Sequence, residues 1–448
     1  MRIERHPSIH FITLGCAKNE VDTNRMRALI EASELFDIEE DVTKADLVII
    51  NTCSFLTEAV NEGIELTLEL AQEKAENQIN CPIVMAGCIP SRYGSELIPE
   101  LPEVAAFVPV DKEDTIVQVC LEVLQIEYSG NLKQPKVART VEAACAYIKI
   151  SDGCDRFCSF CAIPYIRGRY YSRSPREILD ESAYLVDQGV KELVLIGQDT
   201  GIWGSDLEPP LNLAWLLREV AKIARKVNGW VRVLYLQPEG MTQDLIETIR
   251  DTPEVCKYID IPLQHVSEEI LKRMNRRGNA REFLELIQHL RAEIPNITLR
   301  TTYMVGFPGE TEEDFEELVS FAEEAQFDYH ALFSYSPEEG TEACELPNQV
   351  EEDIKLERLQ KMTDICDSLG YASAAQHIGK TYPVLVDGLE EEEDGLTTII
   401  GRCSFQAPDS DGVVHIEQGS AVSGETVYVT ITDSACYELF GDIVQREV

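Results

Sequence analysis

Positive charge is scarce in this chain. Against 80 aspartates and glutamates it carries 39 lysines and arginines, a net charge of −41 over 448 residues. A field of that sign repels phosphate backbones and attracts basic partners. Solubility, or adaptation to salt, would produce the same balance. Long apolar runs are missing as well. None approaches the ~20 residues that span a bilayer, and Met1 to Gly15 holds no uninterrupted apolar stretch of the signal-peptide kind. A soluble, cytoplasmic protein with no membrane partner is expected. The seven histidines form no His-x-His or His-Glu-x-x-His pattern, so the usual histidine metal signatures are absent. No internal repeat is visible. The one low-complexity patch, Glu390 to Asp394, reads as a solvated loop tip.

Cysteine is plentiful, with 14 in the chain. In a reducing compartment so many cysteines point to metal binding or redox chemistry rather than to a disulfide framework. The length suggests about three domains, and 44% hydrophobic with 27% charged residues suits globular domains with real cores.

Hydrophobic patterning divides the chain. Residues 1–125 alternate continuous apolar strands (His10–Leu14, Ala45–Asn51, Pro82–Ala86, Ala105–Val110) with helical stretches (Val21–Ser33, Glu58–Lys74). That is the pattern of a doubly wound parallel sheet. Residues 126–145 are mixed and polar and read as a linker. A second strand–helix series fills 146–377. Its strands are Ala146–Ile150, Glu192–Ile196, Val231–Leu236, Tyr258–Ile261, Leu299–Val305 and Tyr329–Phe333, and a trailing helix covers 351–377. Six units are too few for a closed eightfold barrel, so a partial (β/α)6 barrel is expected. Short β-like runs in 378–448 suggest a small antiparallel β-barrel.

The strongest local signal is Cys154-Asp-Arg-Phe-Cys158-Ser-Phe-Cys161. Three thiolates within eight residues can wrap one iron–sulfur cube from a single loop, leaving one iron open to a ligand. Three unrelated core thiols, or a zinc site completed by a distant residue, are the other readings. The loop follows the first strand of the second series, at the end of a barrel where active sites gather. A second set is scattered: Cys16, Cys53 and Cys88 each lie just past a strand of the first domain. In an open parallel sheet that edge collects ligands. These three either converge on a second metal centre or are small buried residues at strand ends. The other eight cysteines show no ligand spacing.

The Cys154–Cys158–Cys161 spacing on this strand–helix series resembles the radical S-adenosylmethionine (SAM) superfamily. The resemblance implies a 4Fe-4S cluster whose open iron chelates SAM, and reductive cleavage of SAM to a 5′-deoxyadenosyl radical. It places Phe160 near the adenine and Gly306, in Thr302-Tyr-Met-Val-Gly-Phe-Pro-Gly-Glu310, in a SAM-contacting segment. Leu14-Gly15-Cys16-Ala17-Lys18-Asn19, Asn51-Thr52-Cys53 and Gly87-Cys88 further resemble the N-terminal domain of methylthiotransferases, and 378–448 resembles their TRAM domain. Cys16, Cys53 and Cys88 are thereby implied to hold a second 4Fe-4S cluster that delivers sulfur.

Two branches exist within that family. The Leu-Gly-Cys-x-Lys-Asn start, Gly197-Gln-Asp-Thr200 and Pro262-Leu-Gln-His265 resemble the branch that modifies an aspartate β-carbon of small-subunit ribosomal protein S-twelve. Ala17, where proline is common, and Leu236-Gln237-Pro238, where Tyr-Pro is more usual, depart from it. Gln198 and Asp199, at the barrel mouth, are candidates to position SAM or substrate. Residues 378–448 hold 14 acidic and three basic residues, net −11, which suits a basic protein partner and argues against tRNA. The implied chemistry also needs a reducing electron donor and a sulfur source. The alternatives are a tRNA methylthiotransferase and a non-catalytic iron–sulfur redox or assembly protein.

Overall fold

The computed structural model describes residues 5–76, 79, 81–140, 143–391 and 397–444. Leu47–Thr52 and Ile83–Gly87 are buried along their whole length, as strands covered on both faces must be. They sit inside a five-stranded parallel sheet ordered Asp37–Ile38, Ser8–Thr13, Leu47–Thr52, Ile83–Gly87, Val104–Pro109. Chain order reverses between Ser8–Thr13 and Leu47–Thr52, and the crevice at the carboxyl edge beside such a reversal is where open α/β sheets bind ligands.

The helix after the first strand, Ala17–Ser33, starts earlier than Val21. Its first turns escape a periodicity search because polar side chains are buried there: Lys18, Asn19, Asp22, Thr23 and Asn24. Lys18, Asn19 and Asp22 face the second domain, meeting Tyr235, Lys149 and Arg167, while Thr23 bonds Thr13 and Asn51 within the first. The two-residue edge strand Asp37–Ile38 and the helices Cys88–Tyr93 and Ile116–Val123 are further elements that patterning misses.

The second series forms two three-stranded parallel sheets. One is Cys145–Lys149, Glu192–Ile196, Trp230–Val233; the other is Tyr258–Gln264, Thr298–Val305, Tyr329–Ser334. A parallel bridge between Val231 and Val255 joins them, giving the six strands of a partial barrel. Helices Pro175–Asp187, Leu213–Ala224, Gln243–Asp251, Glu268–Arg273, Ala280–Glu293 and Glu312–Ala325 pack outside. Glu352–Ala375 follows them and sends Met362 and Cys366 into the barrel core.

The C-terminal barrel is closed, in the order Thr381–Glu391, Thr397–Cys403, Val414–Gln418, Leu439–Ile443, Thr426–Ser434. It is not wholly antiparallel. Val414–Gln418 and Leu439–Ile443 run parallel, because the last strand, absent from the sequence reading, crosses over to close the cylinder. The acidic patch Glu390 to Asp394 falls largely on residues 392–396, outside those described.

Ion pairs fasten this barrel to the central one. Arg402 donates to Glu192 Oε2 at 2.6 Å and to Asp387 at 2.8 Å, and Glu192 also accepts from Arg232 at 2.8 Å. All of Glu192, Arg232 and Arg402 are buried. Nearby, Asp411 lies 3.3 Å from Arg300, which is 3.0 Å from Asp260.

Candidate functional site

The first three cysteines reach the switch-point edge from three strand ends. Cys16 precedes helix Ala17–Ser33, Cys53 follows Leu47–Thr52, and Cys88 opens helix Cys88–Tyr93. Their approach depends on glycine. Gly15 has φ +95°, and a Cβ there would fall 2.5 Å from Cys53 Cβ and 3.2 Å from its Sγ. No other side chain fits that cradle.

Asn19 ties the three together. Its Nδ2 donates to the carbonyl of Thr52, next to Cys53, at 2.8 Å. Its Oδ1 accepts from the thiols of Cys16 at 3.6 Å and Cys88 at 3.9 Å. Arg167, from the barrel side, donates to the same Oδ1 at 3.2 Å and reaches Cys88 Sγ at 3.7 Å.

Cys154, Cys158 and Cys161 share one loop after the short strand Ser151–Asp152. Gly153 has φ +71°, and a Cβ there would fall 2.2 Å from the Arg169 carbonyl. Within the loop Phe157 is left-handed at φ +47°, a conformation that needs outside support. Asn275 supplies it, with Nδ2 donating to the carbonyls of Arg156 at 3.0 Å and Phe157 at 2.9 Å. Arg276 lies 3.9 Å from Cys158 Sγ and is fixed by Gln237 Oε1 and the Pro262 carbonyl, both at 2.7 Å.

All six cysteines line a single cavity of about 440 Å³. Phe160 and Gln198 line it too. Phe160 packs edge-on to Phe307, and Gln198 Nε2 donates to Asp152 Oδ1 at 3.0 Å. Two sequence candidates are not brought to the cavity. Asp199 is buried behind it, its Oδ2 accepting from Arg156 at 2.6 Å, so it steadies the cysteine loop from below. Gly306 forms a buried turn: its N–H donates to Glu310 at 2.8 Å, and a Cβ there would fall 2.4 Å from Lys355 Cγ. The strand ahead of it, Thr298–Val305, contributes Thr302 to the cavity instead.

A knot of ion pairs welds the two domains beside the cavity. Lys149 lies 2.5 Å from Asp22 and 2.7 Å from Asp152, and Arg167 lies 2.9 Å and 3.2 Å from the same two carboxylates. Burial alone would raise Asp152, but Lys149 and Arg167 hold it below the usual carboxylate range. Asn19, Asp22, Lys149, Asp152, Arg167, Asn275 and Arg276 were assigned no role from sequence. The available signal was placement: Arg167 and Asn275–Arg276 are polar residues next to a cysteine loop and a helix break.

Four of these thiols, Cys53, Cys88, Cys154 and Cys161, resist ionisation. Burial pushes Cys88 and Cys161 up to about 12, and raises Cys53 and Cys154. Such groups ligate only when a metal's positive charge outweighs desolvation. Soft donors in sets of three, with an arginine beside one member of each set, suit an anionic iron–sulfur cube. Among the described residues no three His, Cys, Asp or Glu side chains are close enough to share a single ion. A four-iron cube, whose thiolates bind different irons, does not require that closeness.

Comparison with known proteins agrees with this layout. Residues 8–109 match Uncharacterized protein family UPF0004, residues 148–322 the Radical SAM superfamily, and residues 378–444 the TRAM domain. The radical S-adenosylmethionine methyltransferase TsrM from Kitasatospora setae shares the fold at TM-score 0.54 and 14% identity, covering 74% of this chain and 75% of its own. The cobalamin-dependent radical enzyme OxsB does so at TM-score 0.51 and 12% identity, over 80% and 56%. Much closer in sequence is the ribosomal protein uS12 methylthiotransferase RimO of Geobacter sulfurreducens, 42% identical over 97% of this chain and 98% of its own. That of Pelobacter propionicus is also 42% identical, over 98% of each. With that identity along nearly the whole of both chains, this chain belongs to the family of ribosomal protein uS12 methylthiotransferases.

Proposed function

We propose that this chain attaches a methylthio group to an aspartate β-carbon of ribosomal protein uS12, using SAM and two 4Fe-4S clusters. The observation that carries the reading is that both cysteine sets open into one cavity. Cys154, Cys158 and Cys161 would hold the cluster that binds SAM, and Cys16, Cys53 and Cys88 the one that presents sulfur. When bound, these groups supply radical hydrogen abstraction, which an unactivated carbon requires, and a transferable sulfur.

The protein's part is to position and to shield. Arg167 and Arg276 set positive charge beside Cys88 and Cys158, where it would face the negative charge of a thiolate-held cluster. Asp152, fixed by Lys149 and Arg167, fixes Gln198 in turn. Gln198 Oε1 is buried without a partner among the described residues, leaving an acceptor for a donor group of SAM. Phe160 gives the cavity an apolar wall. The division into 1–125, a 126–145 linker, 146–377 and 378–448 belongs to this reading, with Gln198 and Phe160 as cavity residues and Asp199 and Gly306 as supports.

Among the described residues no helix is long and apolar enough to cross a membrane, which fits action in the cytoplasm, with a reducing electron donor and a sulfur source as partners. Acidic character favours a basic protein over tRNA: of three basic residues in 378–448, Arg402 is buried in ion pairs. The test is mass spectrometry of uS12 and of tRNA from a strain lacking the gene. Loss of the methylthio mass from the protein alone is expected; loss from tRNA alone would transfer the reading to the other branch. Failure of the reduced protein to turn SAM into 5′-deoxyadenosine would return the redox-protein reading.

A further inference from the structure

A second and larger cavity, about 950 Å³, lies between the first domain and the barrel. Ile166 and Arg167 belong to the walls of both cavities, so the two are neighbours. Its lining holds seven carboxylates against four cations. The cations are already engaged: Arg25 by Asp114 at 2.6 Å, Arg173 by Glu181 at 2.8 Å, Lys149 and Arg167 by Asp22 and Asp152.

One carboxylate is left over. Glu113 is 5% exposed, and its Oε1 has no hydrogen-bond partner among the described residues. Burial, reinforced by the charge of Asp22 and only partly offset by Lys149 and Arg167, pushes its carboxyl well above the usual range. A buried acid beside other acids is costly unless a cation completes it. At the rim stand two exposed aromatic rings, Tyr165 at 60% and Tyr171 at 51%, of the kind that cover guanidinium and ammonium groups.

We propose that this cavity is the subsite for a basic segment of the protein substrate, with an arginine or lysine of that segment entering to pair with Glu113 and neighbouring residues lying over Tyr165 and Tyr171. This rests on the protein-substrate reading above and gives it a location. A substrate chain anchored here, across the Arg167 wall, would lie beside the cysteine-lined cavity. The cavity's own charge excludes a phosphate backbone.

The test uses the full chain and two synthetic peptides of equal length. Each carries a central aspartate; one is flanked by arginines and lysines, and the other has them replaced by glutamine. Wild-type protein should bind the basic peptide at least about tenfold more tightly, as desolvated charge pairs allow. Glu113→Gln should remove most of that preference and leave the neutral peptide unchanged. Asp111→Lys, at an exposed rim position, should weaken the basic peptide by a smaller factor and decides the matter if Glu113→Gln fails to fold. An unchanged preference in a folded variant overturns the proposal, as does displacement of the basic peptide by a tRNA stem-loop. Methylthio transfer to uS12 that persists while the preference ignores Glu113 would sink the subsite alone. A Glu113-dependent preference without any transfer to uS12 would keep the subsite and sink the assigned reaction.

Discussion

The two cysteine sets face one cavity but are built in opposite ways. Cys154, Cys158 and Cys161 are neighbours in the chain, and one loop with Gly153 at its root brings them together. Cys16, Cys53 and Cys88 are far apart in the chain and meet only because a parallel sheet aligns three strand ends. Yet the supporting devices are alike. Each set has an asparagine clamp, Asn19 or Asn275, and an arginine beside one thiol, Arg167 on Cys88 or Arg276 on Cys158. Local spacing and long-range topology thus arrive at the same chemical arrangement. The scattered set, Cys16, Cys53 and Cys88, depends on the fold being complete, whereas the set Cys154, Cys158 and Cys161 depends mainly on its loop.

Removing either set should have the largest effect. Anaerobically reconstituted protein should carry about eight irons as two four-iron clusters, and alanine at all three positions of either set should leave about half. An iron content that never exceeds four would break the comparison, because the scattered set would then hold no cluster.

Next is dependence on the C-terminal barrel. Arg402→Ala strips one of two arginines from the buried Glu192 and should cost about 3–5 kcal/mol, read as a fall in the denaturation midpoint. The loss should be felt in the central barrel and not in the first sheet. Equal loss of hydrogen-exchange protection in strands Leu47–Thr52 and Glu192–Ile196 would contradict that asymmetry.

A smaller effect separates the clamps. Asn19→Ala should weaken cluster binding at the scattered set, and Asn275→Ala at the loop set, each by about 10–100-fold, the range for groups that orient ligands. Iron release to a chelator, followed spectroscopically in variants that keep only one set, measures it. Crossed effects would mean the clamps are not set-specific.

The smallest effect comes from acid. Burial pushes His265 and His330, both on the central barrel, down to about 4 from 6.5. The unfolded chain then takes up protons first, so stability present above pH 6.5 is lost as pH falls toward 4. Asp411 works the other way. Burial, partly offset by Arg300, raises it to about 6 from 3.8, so its contribution is lost as pH rises through 6. Between pH 7.5 and 5 His265 and His330 outweigh Asp411, so these three groups together contribute a net loss of roughly 1–3 kcal/mol. Thermal unfolding of the iron-free protein at the two pH values checks it, and the barrel should melt before the first sheet.

How much of this was legible in the sequence follows the same divide. The buried strands were visible as apolar runs, and Glu192–Ile196 matches its expected span residue for residue. The loop set was visible as spacing. The scattered set was visible only as a position after each of three strands, and its convergence required knowing the strand order. The clamps were hidden because an asparagine's partners are backbone carbonyls, Thr52 in one case and Arg156 and Phe157 in the other, which leave no pattern in composition. Lys149 and Arg167 were hidden because their partner Asp22 is over 100 residues away. Gly306 could not be placed from sequence alone, since a glycine-rich turn serves a packing contact with Lys355 as well as it serves a ligand. The final strand, Leu439–Ile443, was missed because it is short, partly polar, and pairs parallel to Val414–Gln418 rather than through a hairpin.

The most direct test of separate roles for the two sets is an assay of both products in one variant. Protein carrying Cys16→Ala, Cys53→Ala and Cys88→Ala is reconstituted, reduced, and given SAM and uS12. The two-set account predicts 5′-deoxyadenosine formation with no methylthio group on the protein substrate. Methylthio transfer by this variant, or loss of both products in a chain that still folds and holds four irons, would contradict it.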